Sequence, residues 1–319
     1  MNARKLFEAV PNFSEGRDAA KISRIAGAAR AVPGISILNL HSDPDHNRSV
    51  LTFVGEEEQL LQASVALARA CVDEIDLEAQ EGVHPRMGSL DVLPFVPLGP
   101  PLSNATLEDA ARLARSAGEA IGALLGLPVY LYGAAASAPH RARLADIRRG
   151  GYTGLAGRVQ DPLWRPDYGP ENVSPCSGAV AVGARPFLVA FNAYLDTDDV
   201  EVARAVAEEV RERGGGLPAL RALGLLVGGR AQVSMNLTDL SSTPVPVVLE
   251  AVRRSAGERG ARVESSELVG LVPLAAVLET ARHYLALPEL APEHVLEAAI
   301  WEEWQGNLGQ DPSGNTRES

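Results

Sequence analysis

A short loop between Glu81 and Val92 combines side chains suited to proton transfer with residues that fix the backbone. His84 and Arg86 flank Pro85, and a glycine stands on each side of this group. Glycine permits backbone angles that other residues avoid and proline fixes its own φ, so the loop can hold an imidazole in one direction. Histidine titrates nearest to neutral pH and commonly acts as a general acid or base. We therefore expect His84 to be catalytic; the alternative is a turn whose polar groups satisfy the backbone.

A second polar loop runs from His41 to Arg48 and lies between two apolar segments. It contains Asp43, Asp45 and His46. Two histidines and two aspartates this close together are compatible with metal binding, but no further ligand is evident at a metal-binding spacing. Loops at the ends of strands commonly carry functional side chains. We interpret this segment as a polar binding loop and predict no metal site.

Segment 161–178 is rich in proline and glycine and has little periodicity. It can be interpreted as a linker between two halves of the chain. It can also be interpreted as an ordered binding loop, because it contains Trp164 and Tyr168 whereas flexible linkers are usually small and polar. The residues themselves leave both interpretations open.

The composition indicates a globular protein and narrows its partners. The chain has 319 residues, is 46% hydrophobic and 22% charged, and carries a formal charge of −12. This charge argues against nucleic acid or an anionic membrane as the main partner. Cys71 and Cys176 lie far apart and imply no disulfide framework, and no signal peptide or long apolar span is evident. We expect a cytoplasmic protein.

The apolar pattern alternates between strand and helix periods along most of the chain. Strands are predicted at 6–10, 35–40, 49–54, 92–98, 128–132, 179–184, 187–195, 222–227, 231–237 and 263–268, with 179–184 and 187–195 paired to each other. Helices are predicted after a cap at Asp18 and at 56–77, 106–125, 138–149, 197–213, 244–259, 272–287 and 292–304. This order predicts an α/β or α+β fold in two layered halves. We expect one subdomain at 1–178, a second at 179–304 and a flexible tail at 305–319.

Several short motifs resemble the formiminotransferase family and occur in the family's order over roughly residues 6–285. They are Val10–Gly16, Asn47–Val50, Phe53–Gly55, His84–Gly88, Pro128–Gly133, Pro166–Pro170, Gly183–Arg185, Gln232–Leu237 and Leu268–Pro273. The family comprises glutamate formimidoyltransferase, which is fused in animals to a cyclodeaminase. We expect no such second enzyme in a chain of this length.

The resemblance implies an α/β (α+β sandwich) fold of two subdomains, each a mixed β-sheet with helices on its outer face. The two sheets would face each other across a substrate groove or tunnel. The implied reaction moves a formimino group between N-formimino-L-glutamate and tetrahydrofolate in histidine degradation, giving 5-formimidoyltetrahydrofolate and L-glutamate without a metal. Family members are typically homodimers.

The resemblance also assigns roles to residues. The family's catalytic histidine matches His84. Its folate-binding segment matches Gly169, Pro170, Glu171, Asn172, Val173, Ser174, Pro175, Cys176, Ser177 and Gly178. Carboxylates on glutamate and on the folate tail favour arginine partners. The candidates in matching motifs are Arg48, Arg86 and Arg185, and Asn12, Asp43 and Asp45 are candidates for hydrogen bonds to the pterin or for orienting His84.

Two positions depart from the pattern of the animal enzymes. His41 stands where those enzymes carry an acidic residue, and Tyr194 replaces a second asparagine after Phe191 and Asn192. If the acidic residue orients the catalytic imidazole, Asp43 or Asp45 must do so here. Two alternatives stay open: a folate-dependent formyltransferase on the same scaffold, and a non-catalytic folate-binding protein.

Overall fold

The computed structural model describes residues 4–82, 85–99 and 102–308. The predicted catalytic residue His84 and the last part of the predicted tail, 309–319, lie outside these residues. The first half contains β1 (Leu6–Ala9), β2 (Asn12–Phe13), α1 (Ala19–Arg30), β3 (Ser36–Asp43), β4 (Arg48–Glu56), α2 (Glu57–Glu74), β5 (Leu90–Pro97), α3 (Leu107–Leu125), β6 (Val129–Gly133), α4 (Leu144–Ile147) and α5 (Gly151–Arg158). The second half contains β7 (Val180–Ala184), β8 (Val189–Leu195), α6 (Val200–Val210), β9 (Leu220–Val227), β10 (Arg230–Leu237), α7 (Val245–Gly257), β11 (Val263–Val269), α8 (Leu274–Leu285) and α9 (Leu296–Leu308).

The first sheet has seven strands and is mixed. β3 pairs with β4, and β1 and β2 lie one after the other between β4 and β5 in antiparallel pairing. β5, β7 and β6 then follow in parallel. The helices α2 and α3 pack against this sheet, and their apolar stripes join a single core that includes Phe7, Phe53 and Phe95.

The second sheet has four antiparallel strands in the order β11, β8, β10, β9. Its core is formed with α6 and α7, and it includes Phe191, Met235 and Val248. The predicted fold class is confirmed: the chain forms two α/β subdomains, each with its own sheet and helices. The expectation that both sheets are mixed is wrong for the second sheet, whose strand pairings are all antiparallel. None of the helices in the described part of the chain is long and apolar enough to cross a membrane.

The predicted pairing of 179–184 with 187–195 is wrong. β7 lies in the first sheet between β5 and β6, whereas β8 belongs to the second sheet. Every residue of β7 is buried, as expected for a central strand of a parallel region, which is covered on both faces. The chain therefore passes from one sheet to the other after Ala184. We propose the subdomain boundary in this connection instead of at 178 and 179.

Local sequence chemistry explains the helix ends that were predicted well. Thr106 accepts a hydrogen bond from the Asp109 amide, and the Asp109 carboxylate accepts one from the Thr106 amide, which forms a capping box at the start of α3. Gly126 ends α3 in the left-handed conformation, which glycine adopts without steric cost. The Asp18 carboxylate caps α1 as predicted.

Other helix predictions need correction. Segment 138–149 is a short 3₁₀ turn followed by α4, and α5 follows after Gly150, which has a positive φ. Segment 292–304 was expected to be one helix, but α9 begins at Leu296 and continues to Leu308. The first residues of the predicted tail are therefore helical.

Candidate active site

A groove with a cavity volume of about 480 Å³ lies between the two sheets. The first sheet contributes charged and polar side chains from β1 to β4, and the second contributes amides and hydroxyls from β8 and β10. Four of the predicted binding residues line the groove: Asn12, Asp43, Arg48 and Arg185. Arg86 and Asp45 are absent from its described lining residues.

Two arginines converge on one buried carboxylate at the end of the groove near the loop that carries His84. Arg48 Nη1 lies 2.8 Å from Asp91 Oδ2, and Arg148 Nη2 lies 2.5 Å from the same oxygen. Asp91 Oδ1 accepts a hydrogen bond of 2.8 Å from the amide of Met87. Burial, followed by the nearby Arg148, lowers the pKa of Arg48 to about 10, so it remains charged at neutral pH. The cluster gives the groove a fixed positive charge.

Arg48 also contacts Asn12 on β2. Its Nη2 donates a hydrogen bond of 2.6 Å to Asn12 Oδ1, and Asn12 donates one of 2.7 Å to the carbonyl of Val10. Asn12 is thereby oriented with its oxygen towards the guanidinium group. Asp91 and Arg148 were not predicted from the sequence. A charged residue inside the apolar run after Leu90 was the available signal, because buried carboxylates require partners.

The two residues that flank Val83 and His84 are fixed in place. Gly82 packs against the His46 carbonyl so closely that a Cβ atom there would collide with it. The Asn47 amide donates a hydrogen bond of 2.9 Å to the carbonyl of Glu81, and Arg148 donates one to the carbonyl of Pro85. The residues on both sides of Val83 and His84 are therefore anchored, to His46 and Asn47 on one side and to Arg148 on the other.

Arg86 is part of this anchoring. Its guanidinium group donates hydrogen bonds to the carbonyl groups of Gln80 and Gly82. These contacts stabilise the loop from within. The observed contacts of Arg86 are with the loop, and its role in substrate binding stays a prediction.

The side chain of Asp43 stabilises the turn between β3 and β4. Asp43 Oδ1 accepts hydrogen bonds of 2.8 Å from the amides of Asp45 and His46. Burial lowers the pKa of His46, and the nearby Asp43 only partly opposes this. Among the described residues, the group with metal-compatible spacing is Asp76, Glu78 and Cys176, all of which are exposed.

The predicted folate-binding segment, 169–178, lies outside the described lining of the groove. Its last residues contact both ends of the loop at 77–89: the Leu77 amide donates to the Cys176 carbonyl and the Ser89 amide to the Ser177 carbonyl, both at 2.9 Å. Gly178 also forms a bridge with Gly88. The segment is thus ordered, and it supports the loop that carries His84.

The opposite end of the groove contains a second pair of arginines. Arg185 donates a hydrogen bond of 3.0 Å to the carbonyl of Pro186, and Arg221 lines the groove from the second sheet. Burial lowers the pKa of Arg185 and raises the pKa of the neighbouring Glu8. Arg221 was not predicted from the sequence, because it comes close to Arg185 only through the packing of the two sheets against each other.

A polar cluster on the second sheet lies beside the groove, and its member Asn192 is among the described lining residues. The Asn192 amide donates a hydrogen bond of 3.1 Å to Glu267 Oε2, and the Tyr194 hydroxyl donates one of 3.3 Å to the same oxygen. Glu267 Oε1 lies 3.8 Å from His41 Nε2 of the first sheet. Glu267 was also missed, since its partners lie far away in the sequence.

Side chains from two α/β subdomains therefore converge on one groove, with arginines at both ends and amides and carboxylates between them. This is the architecture of an enzyme that binds anionic substrates at a subdomain interface. The sequence profile described as "Formiminotransferase domain, N-terminal subdomain" matches residues 6–185, and the one described as "Formiminotransferase domain" matches residues 190–299. The chain belongs to the formiminotransferase domain family.

Curated relatives agree with this assignment. The glutamate formimidoyltransferase of Thermoplasma acidophilum is 40% identical over 296 residues, which cover 92% of this chain and 96% of the relative. The glutamate formimidoyltransferase of Streptococcus pyogenes serotype M1 is 37% identical, with 89% of this chain and 95% of the relative covered. The formimidoyltransferase-cyclodeaminase of Sus scrofa is 40% identical over 88% of this chain, but the match covers 52% of that relative.

Proposed function

We propose that this protein is a glutamate formimidoyltransferase that moves a formimino group between N-formimino-L-glutamate and tetrahydrofolate. The observation that carries the proposal is the 40% identity to a glutamate formimidoyltransferase along 96% of that relative's length. The groove supports it, because its volume of about 480 Å³ lies in the usual range of small-molecule sites. Arginines at both of its ends suit substrates that carry several carboxylates.

The reaction requires proton transfer at two nitrogen atoms. N5 of tetrahydrofolate attacks the formimino carbon and loses its proton, and the glutamate nitrogen gains a proton as its bond to that carbon breaks. We assign both transfers to His84, a contribution typically worth ~10²–10⁴-fold in rate. The anchored neighbours Gly82 and Pro85 support this role, since a general base must be held at a fixed distance from its proton.

The binding residues follow from charge and position. Arg48 and Arg185 are assigned to substrate carboxylates at the two ends of the groove, and Asn12 and Asp43, which also line it, to hydrogen bonds with the pterin or to the orientation of His84. We assign the folate to the groove and to segment 169–178, whose exposed residues adjoin the His84 loop. No resident metal is needed by this chemistry.

The setting of the enzyme is part of the proposal. We infer a role in histidine degradation in the cytoplasm, which the free thiols of Cys71 and Cys176 support. We also infer a homodimer. Large apolar side chains stay exposed on α8 and α9, including Leu285, Leu296 and Trp301, and such surfaces commonly form subunit contacts.

The test is transfer activity with a matched histidine control. Purified protein is incubated with tetrahydrofolate and N-formimino-L-glutamate, and the folate adduct is followed spectroscopically. We expect turnover by the wild type, loss of at least ~10²-fold in kcat for His84→Ala, and near-normal kcat for His283→Ala, which lies exposed on α8. No adduct with the wild type would overturn the proposed activity. Unchanged kcat in His84→Ala would overturn the assigned base.

A further inference from the structure

Glu267 is a carboxylate of the second sheet that faces the first sheet across the groove. It lies on β11, and its side chain is 29% exposed. Oε2 accepts both hydrogen bonds from the second sheet, from the Asn192 amide and the Tyr194 hydroxyl. Asn192 lines the groove and is only 4% exposed. The carboxylate is therefore held in one orientation by a buried amide.

This arrangement leaves the other oxygen on the side of His41, which lines the groove, whereas Glu267 itself is absent from the described lining residues. Oε1 faces His41 Nε2 at 3.8 Å, which exceeds hydrogen-bond distance, and it has no hydrogen bond to any other residue in 4–82, 85–99 or 102–308. An oriented carboxylate oxygen with capacity to accept is suited to a donor group carried by a ligand.

Glu267 lies beside the turn between β3 and β4. It is close enough to His46 to act on the pKa of that residue, and the His46 carbonyl is the group against which Gly82 packs. Glu267 and Gly82 therefore both adjoin this turn.

The chemistry of the donor substrate indicates which of its groups would bind the Glu267 carboxylate. A formimino group on an amine is an amidine, which is protonated at neutral pH, whereas a formyl group on an amine is a neutral amide. An amidinium ion presents N–H donors and a positive charge to a carboxylate, and such charge-assisted hydrogen bonds are about twice as strong as neutral ones. A formyl oxygen would instead meet the carboxylate as a second acceptor.

We propose, on the basis of the function proposed above, that Glu267 binds the protonated formimino group of the donor substrate and makes the enzyme select a cationic amidine over a neutral formyl group. His41 contributes the opposite wall of this subsite. Asn192 and Tyr194 act as positioning residues, because they hold Oε2 and direct Oε1.

The reaction balances with this assignment. N5 forms a bond to the amidinium carbon and its proton passes to His84, which leaves a neutral tetrahedral intermediate beside an imidazolium. That proton then passes to the glutamate nitrogen as its carbon–nitrogen bond breaks. The products are glutamate with a free amine and a folate whose formimino group again carries the positive charge. The cation is thus present before and after transfer, so Glu267 contributes mainly to binding.

The test compares two donors in the full-length enzyme. For wild type we expect the Ki of N-formyl-L-glutamate, measured as an inhibitor, to exceed the KM of N-formimino-L-glutamate by about tenfold, the lower part of the range for one hydrogen bond to a charged group. Glu267→Gln, which keeps the shape and removes the charge, should raise that KM by a similar factor and leave the Ki within about twofold. Glu267→Asp should retain most of the preference.

The control is Glu279→Gln, which changes an exposed glutamate that pairs with Arg282 on α8. It should behave as wild type. An unchanged ratio of Ki to KM in Glu267→Gln would overturn the assignment of this carboxylate. Equal binding of the two compounds by wild type would overturn it even if the variant failed to fold. Absence of any folate adduct with wild type would instead remove the proposed function, so the two failures are distinguishable.

Discussion

Substitution of Asp91 tests how the end of the groove near His84 is held together. This carboxylate is fully buried, forms ion pairs with Arg48 and Arg148, and accepts a hydrogen bond from the amide of Met87. In Asp91→Asn the shape is retained, but two buried guanidinium groups lose the negative charge between them. We expect lower stability and lower activity in the same variant, because the same carboxylate holds Arg48 and the end of the loop.

The magnitude follows from the burial of the cluster. Removal of one partner of a buried ion pair typically costs about 3–5 kcal/mol, because the remaining charge is left uncompensated. That is a large fraction of a typical unfolding free energy of about 5–15 kcal/mol. At roughly 2 °C per kcal/mol for a chain of this size, the Tm should fall by about 6–10 °C.

The assay is thermal and urea unfolding of Asp91→Asn, together with kcat for formimino transfer. The control is Asp146→Asn, which breaks the pairing with the exposed Arg149 and should cost less than about 1 kcal/mol. Adding Arg148→Met to Asp91→Asn should recover part of the loss, since it removes one of the two uncompensated charges. A Tm for Asp91→Asn within 2 °C (about 1 kcal/mol) of wild type would refute the interpretation of the cluster.

Three further predictions concern stability and are checked by unfolding measurements. Tyr130→Phe should stabilise the protein by about 1 kcal/mol, because within the described residues its hydroxyl is buried without a partner and burial raises its pKa to about 12; a loss of stability would contradict this. Gly88→Ala should cost at least about 3 kcal/mol, since its Cβ would collide with the Ala179 carbonyl, whereas Gly27→Ala, in open space on α1, should gain about 0.5–1 kcal/mol; similar effects of the two would show that backbone clearance is not decisive. Burial lowers the pKa of His46 below 6.5, so as the pH drops His46 is protonated in the unfolded chain before it is protonated in the folded one. The unfolding free energy should therefore fall as the pH drops below about 6.5. His46→Asn should reduce this fall between pH 7.5 and 5.5, and an unaltered pH dependence would count against the burial effect.

Much of the fold was predictable because local chemistry and periodicity agree. α3 has a capping box, an apolar stripe and a terminal glycine, and its predicted and observed ends nearly coincide. The errors occur where local signals are weak. α5 contains glycines at 151, 154 and 157, which lower helix propensity. Its last residue, Arg158, contacts the Ile147 carbonyl and the Trp164 ring, and such tertiary contacts are not encoded in the local sequence. The sheet to which β7 belongs depends on distant strands that sequence spacing does not encode.

The residues of the candidate site were likewise predicted only where the sequence carries a local signal. Residues that stand in polar loops or family motifs, such as Asn12, Asp43 and Arg48, were identified from sequence, although their roles stay predictions. Asp91 was detectable as a charge within a buried strand. Arg221 and Glu267 were not detectable, because neither has an unusual local context. Only the packing of the two sheets against each other brings Arg221 to the groove and Glu267 to His41.

The groups proposed to bind the donor substrate come from both halves of the groove. Arg48 lies on the first sheet and is paired with Asp91, and Glu267 lies on the second sheet and is held by the buried amide of Asn192. An arginine suits the carboxylates of the proposed donor, whereas a carboxylate suits its amidinium group. We therefore infer that the donor contacts both sheets, and that its binding depends on how far apart they are held; His41 of the first sheet and Glu267 of the second approach to 3.8 Å.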